Sequence, residues 1–75
     1  MVTVVVTLFP PLREDRFSKK AVAITEPASL RSLLKHLDIA PDKVEAIYVN
    51  GMESGFERSL NDGDRVTFMP FLGGG

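Results

Sequence analysis

The sequence has no cysteine and no tryptophan, and only one histidine and one tyrosine. Without cysteine there is no disulfide framework and no thiolate metal site. Sulfur therefore cannot be held on a thiol of this chain. A single histidine, with no second histidine or carboxylate pair placed beside it by spacing, leaves little material for an autonomous active site. No apolar run approaches the ~20 residues of a membrane-spanning helix. The opening stretch MVTVVVTLFPPLRED has neither a basic leader nor a small-residue cleavage site. Together with the missing cysteines, this leads us to expect a cytoplasmic protein that avoids membranes. An excess of one charge is also lacking. Nine Lys and Arg are interspersed with ten Asp and Glu, for a net charge of −1. That is no electrostatic footprint for nucleic acid.

What is present is a compact pattern. Seventy-five residues, 44% of them apolar, suffice for one domain and one core. Val2 to Phe9 is rich in β-branched residues and predicts a strand. Its two-residue period puts Val2, Val4, Val6 and Leu8 on one face. PPLRED breaks that strand, and Ser18 to Thr25 predicts a second, with Val22 and Ile24 facing the same way. A strand, a short loop and a strand suggest an antiparallel hairpin. Leu30, Leu33, Leu34 and Leu37 then form a helical apolar stripe. Ser29 is placed as its N-cap and Pro41 as its stop. His36 falls off the stripe and reads as a solvated surface histidine.

Val44 to Asn50 predicts a third strand with Ile47 and Val49 inward. Asn50-Gly51 is a tight-turn signal, since both residues tolerate positive φ. MESGFERS suggests a short edge strand and an irregular turn. A second turn follows at Asn61-Asp62-Gly63-Asp64. RVTFMPFL is the last strand, with Val66 and Phe68 on one face and Thr67, Met69 and Phe71 on the other. The order is β-β-α-β-(β)-β, an α+β layout. It matches the plan of a β-grasp, or ubiquitin-like, fold: a mixed four- to five-stranded sheet with one main helix on one face. The final strand would lie centrally, parallel to the first. Residues 1–72 form the domain in this reading, and residues 73–75 form a flexible glycine tail.

One helix covers one sheet face. The other would expose Val5, Phe9, Tyr48, Met69 and Phe71, with Leu72 beside the tail. Such a cluster marks a docking surface, or else an ordinary half-apolar sheet face.

The sequence ends PFLGGG, and its last sixteen residues read LNDGDRVTFMPFLGGG. This stretch resembles the MoaD/ThiS-like sulfur carriers, a family that includes the small subunit of molybdopterin synthase and the thiamine-biosynthesis sulfur carrier. The resemblance rests on Asp62-Gly63-Asp64, Val66, Phe68, Pro70 and the closing Gly74-Gly75. FPPLRE, from Phe9 to Glu14, and the Val49-Asn50 pair add to it. Arg13-Glu14 and the Pro70 strand exit lean toward the molybdopterin type. Gly73 departs from that type, which commonly has serine or threonine there, as does the Pro-Phe-Leu exit.

The resemblance implies a carrier and not an enzyme. Gly75 would be adenylated by an ATP-dependent activating enzyme, and a sulfurtransferase would convert it to a thiocarboxylate. An acceptor enzyme, such as a molybdopterin synthase large subunit, would then take the sulfur. No cofactor would be bound to the chain; ATP would be used by the activating enzyme. Gly73 and Gly74 would form a side-chain-free arm, and Leu72 to Gly75 would reach at most ~14 Å when extended. Phe9, Tyr48, Met69, Phe71 and Leu72 would dock the partners. The competing readings are a ubiquitin-like modifier joined to lysines through Gly75, a thiamine-type carrier, and a plain β-grasp interaction domain.

Overall fold

The computed structural model describes residues 1–14 and 16–71. Five strands form a mixed sheet in the order β2-β1-β5-β3-β4, where β1 is Val2–Leu8, β2 Lys19–Ile24, β3 Val44–Val49, β4 Met52–Ser54 and β5 Arg65–Pro70. One helix, α1 (Leu30–Leu37), follows β2, and a short 3₁₀ turn, Pro41–Lys43, precedes β3. β1 and β2 are antiparallel, as the hairpin reading requires, and β5 runs parallel to β1 between β1 and β3. This is the β-grasp arrangement expected from the element order.

Alternation determines the core. Val2, Val4, Val6 and Leu8 are buried, as are Val22 and Ile24 of β2, Ile47 and Val49 of β3, and Val66 and Phe68 of β5. They meet Leu30, Leu33 and Leu34 of the helix, with Leu37 packed at the margin. Val44 at the start of β3 joins them, and loops contribute Leu12, Ala28, Ile39 and Leu60 to the same cluster.

The helix starts where the sequence indicates. Ser29 is extended and its hydroxyl accepts from the Ser32 N–H at 3.1 Å, while the Ser29 N–H donates to the Ser32 hydroxyl at 2.8 Å. Ser32 thus fills the place usually taken by glutamate in a capping box. The loop after β4 satisfies two more donors of the first turn: Leu30 N–H reaches the Arg58 carbonyl and Arg31 N–H the Phe56 carbonyl, both at 3.0 Å. The exposed Arg31–Glu57 pair nearby contributes little by comparison.

The stop differs from the expectation placed on Pro41. The helix ends at Leu37 because Asp38 turns left-handed, at φ 58°. Ile39 N–H then bonds the Leu34 carbonyl and Asp38 N–H the Lys35 carbonyl. That is a Schellman closure, with buried Ile39 supplying its apolar contact. Pro41 instead opens the 3₁₀ turn. The last strand is also shorter than expected, since it ends at Pro70 and leaves Phe71 outside it.

Phe68 is wholly buried, on the central strand. Phe68→Ala is expected to cost about 3–5 kcal/mol. The whole domain is held by roughly 4–11 kcal/mol at its length. Urea unfolding followed by circular dichroism at 25 °C should therefore show a midpoint lowered by about a third or more of its native value, since that cost is a large share of the total stability.

Candidate functional site

The exit of β5 is positioned by the turn just before the strand. Gly63 has φ 89°, which lets Asp62 and Asp64 both turn back toward the sheet. The Asp62 carboxylate accepts from the Thr3 N–H at 2.8 Å, and the Gly63 N–H donates to the Thr3 carbonyl at 2.8 Å. Asp64 is 8% exposed, and its two carboxylate oxygens have separate partners. One accepts from the Asn61 N–H at 2.8 Å and the other from the Asn50 side-chain amide at 3.0 Å. Asn50 completes the link: its side-chain carbonyl accepts from Arg65 N–H at 2.9 Å, and its own N–H donates to the Arg65 carbonyl at 2.8 Å.

The turn between β3 and β4 supplies that asparagine. Asn50 and Gly51 have φ 53° and 85°, the left-handed pair that a two-residue hairpin turn needs. Asn50, Asp62 and Asp64 thus join the start of β1, the start of β5 and the end of β3. The sequence marked these residues as turns. Their service as a clamp has no signature in spacing, because it depends on strands brought together from opposite ends of the chain.

At the other end of β5, pairing with β1 runs only as far as Leu8 and Phe68. Pro70 lies beyond that pair and opposite Val44 of β3. A proline is accommodated because the β1 ladder, which would have used its N–H, has already ended.

The face away from α1 carries the residues read as a docking surface. Tyr48 pairs with Thr67, and Thr67 with Thr7, so a threonine row crosses the middle of this face. Met69 pairs with Ala46 and is half-buried. Phe9, one residue past the end of β1, is 41% exposed, Tyr48 37% and Phe71 56%. Phe9, Met69 and Phe71 therefore lie at the end of the sheet where β1 and β5 finish, and Tyr48 lies in the middle row. Val5 stands apart, opposite Arg65 at the other end of the face. Leu72, Gly73, Gly74 and Gly75 lie outside the described residues.

His36 is exposed on α1, as its position off the stripe indicated. No three His, Cys, Asp or Glu side chains among the described residues are grouped to hold a metal ion. No helix among them is long and apolar enough to cross a membrane.

The family model for the ThiS family matches residues 6–75. The chain belongs to the ThiS family. Members of this family are ubiquitin-like sulfur carriers. Comparison with curated protein sequences gives no match.

Among solved structures, the chain resembles a Pyrococcus furiosus protein described as molybdopterin converting factor subunit 1, at TM-score 0.76 and 22% identity, covering 96% of this chain and 100% of the other. SAMP1 from Haloferax volcanii aligns at TM-score 0.74 and 17% identity, over 97% of this chain and 99% of that one. The thiamine biosynthesis protein ThiS from Geobacter metallireducens aligns at TM-score 0.59 and 26% identity, over 95% and 99%. The first two likenesses concern the fold. The β-grasp architecture is thus shared with a molybdopterin converting factor subunit and with a thiamine biosynthesis protein.

The clamp in this ThiS-family chain has a pH signature. The Asn61 N–H, then the Asn50 amide and the Arg58 charge, hold the Asp64 carboxyl below its ordinary value against the opposing effect of burial. A carboxyl lowered in the folded state contributes stability above its unfolded pKa of about 3.9 and loses it as pH falls through the folded value. Urea midpoints of the native protein should therefore drop on acidification below about pH 4. Asp64→Asn should start from a lower midpoint at pH 7 and show a shallower acid drop. Equal acid slopes in the two proteins would remove Asp64 from this role.

Proposed function

We propose that this protein is a sulfur carrier whose reactive group is the carboxyl of Gly75, and that it acts as a co-substrate and not as an enzyme. A chain terminus at Gly75 is part of the proposal. The observation that carries it is the family match running through residue 75, behind a central strand whose start is clamped at Asp62 and Asp64.

The chemistry follows from the carboxylate. With an α-carboxyl pKa of roughly 3.3–3.7, the group is anionic at neutral pH and resists nucleophiles. A Gly75 carboxylate oxygen attacks the α-phosphorus of ATP in an activating enzyme, and pyrophosphate leaves. The terminal sulfur of a sulfurtransferase persulfide then attacks the acyl adenylate, and AMP leaves. An enzyme thiol cleaves the S–S bond of the resulting acyl disulfide, forming an enzyme disulfide and leaving a thiocarboxylate on Gly75, which an acceptor enzyme draws on. Gly73 and Gly74 leave the approach to that carbon free of side chains. Arg13-Glu14 and Pro70 favour an acceptor of the molybdopterin type, such as a synthase large subunit, over the thiamine type.

Removing Gly75, or extending the chain beyond it, should abolish ATP–pyrophosphate exchange by the cognate activating enzyme. Intact mass spectrometry of native protein should show a fraction in which one oxygen is replaced by sulfur. Activation that survives either change would refute the mechanism. Glycine remnants on target lysines, without any thiocarboxylate, would instead establish a protein modifier.

Phe9, Tyr48, Met69, Phe71 and Leu72 are the proposed docking residues. The support for this is the exposure of Phe9, Tyr48 and Phe71, of which Phe9 and Phe71 lie at the sheet end where β5 finishes. Met69→Asp and Phe71→Asp should each weaken binding to the activating enzyme by about tenfold or more, the scale of an interface anchor. The melting temperature should move little for Phe71→Asp, whose parent side chain is mostly exposed. Unchanged affinity, measured by calorimetry, would clear this face of the role.

A further inference from the structure

The tail and the outer face leave one built feature unused, the open edge of β2 and the groove beside it. β2 is the last strand on its side of the sheet. Leu8 N–H donates to the Ser18 carbonyl at 2.8 Å, and the register pairs Val6 with Lys20 and Val4 with Val22. Bonded pairs alternate in an antiparallel ladder. Lys20, Val22 and Ile24 therefore turn their backbone groups to β1, while Lys19, Ala21 and Ala23 turn theirs outward. The outward-turned run offers donors and acceptors in strand spacing. Its alanines are exposed and too small to obstruct an incoming backbone.

Two hollows flank this edge on the helix side. One, of about 430 Å³, is walled by Phe17, Val22 and Leu37, with Arg16, Lys20 and His36 at its border. The other, of about 250 Å³, lies against Ile24 and is bordered by Lys35 and His36. Among the described residues no carboxylate lines either. Glu14 and Asp38 lie past Arg16, at a separate hollow beyond the strand. An apolar floor with basic ends thus runs along an unpaired strand edge.

We propose that this edge binds an extended, acidic peptide segment of a partner protein, which adds as a sixth strand beside β2. Its backbone pairs with Lys19, Ala21 and Ala23, its apolar side chains enter the hollows at Val22 and Ile24, and its carboxylates meet Lys20 at one end and Lys35 at the other. A small oxyanion fits less well. The Arg16 guanidinium is already committed to the carbonyls of Leu12, Leu37 and Asp38, at 2.9, 3.2 and 2.9 Å. An anion would also leave the edge carbonyls unused. A second copy of this chain would bring the same lysines against one another, and charged edges of this kind oppose self-pairing. The proposal is independent of Gly75 and its chemistry.

The test is an NMR titration of the ¹⁵N-labelled full chain with a blocked heptapeptide, Asp-Val-Ile-Val-Ile-Glu-Asp, and a basic control, Lys-Val-Ile-Val-Ile-Arg-Lys. The acidic peptide should shift the Ala21 and Ala23 amides and slow their hydrogen exchange. Its affinity should exceed that of the control by about tenfold and fall with added salt. Lys20→Glu should weaken it by about tenfold. Ala21→Pro, which removes an outward N–H while sparing the β1 ladder, should do the same if it folds; Lys20→Glu, at an exposed site, decides the matter if it does not. Several results would overturn the proposal. These are equal binding of the two peptides, no shifts up to about 1 mM peptide, shifts confined to the Tyr48 face, the same shifts from inorganic phosphate, and β2 shifts that depend on protein concentration alone.

Discussion

A strand inserted between two others must have its backbone groups satisfied on both sides and must be held in a single register. Here the hydrogen bonds at the start of β5 supply that hold. Asp62 and Gly63 bond the backbone of Thr3, and Asp64 bonds Asn50, whose own backbone and side chain bond Arg65. A one-residue slip of β5 would turn Val66 and Phe68 out of the core. The clamp and the buried face therefore enforce the same register. Where β5 leaves the sheet, and so where any tail can begin, is settled at the opposite end of the strand.

The clamp also bears on chemistry. The acids of this chain that are drawn inward, above all Asp64, are consumed by hydrogen bonds to the backbone and to an amide. A carboxylate satisfied in this way, with its pKa lowered, is a poor proton donor or acceptor near neutrality. The buried charge stabilises geometry and, in the proposed mechanism, leaves reactivity to the Gly75 carboxyl, activated from outside. In that mechanism the folded body supplies position and recognition, and the bond-making machinery comes from the enzymes that bind it.

Much of this was legible in the sequence, for reasons that differ by element. Alternation in Val2–Leu8 and the leucine stripe of α1 are local patterns with one structural solution, and every inward residue they name is buried or packed on the core. Asn50-Gly51 was legible because left-handed backbone restricts residue choice sharply. What escaped was non-local. Leu12, Ile39 and Leu60 are isolated apolar residues in loops, without a period to reveal their burial. The stop at Asp38 hid behind Pro41, since aspartate at a left-handed position is a weaker signal than proline nearby. In β3, Val44 and Ile47 are both buried despite odd spacing, because an irregularity between Val44 and Ala46 shifts the register. The Gly73–Gly75 arm was read from the family pattern alone.

The same economy explains why two recognition surfaces can coexist on so small a domain. An eight-residue helix cannot cover a five-stranded sheet. It buries the inward face and leaves a groove between itself and β2, which holds Phe17 and Leu37. Among the described residues no second layer covers the outer face. These surfaces lie on different sides of the sheet and share no lining residue. A partner seated on the outer face, guiding the chain end into its active site, would therefore leave the β2 edge free. Occupation of that edge could bring a second protein to the carrier without competing for the tail. The interspersed charge of the chain as a whole is compatible with this arrangement, since the basic groups beside β2 are local and the net charge remains near zero.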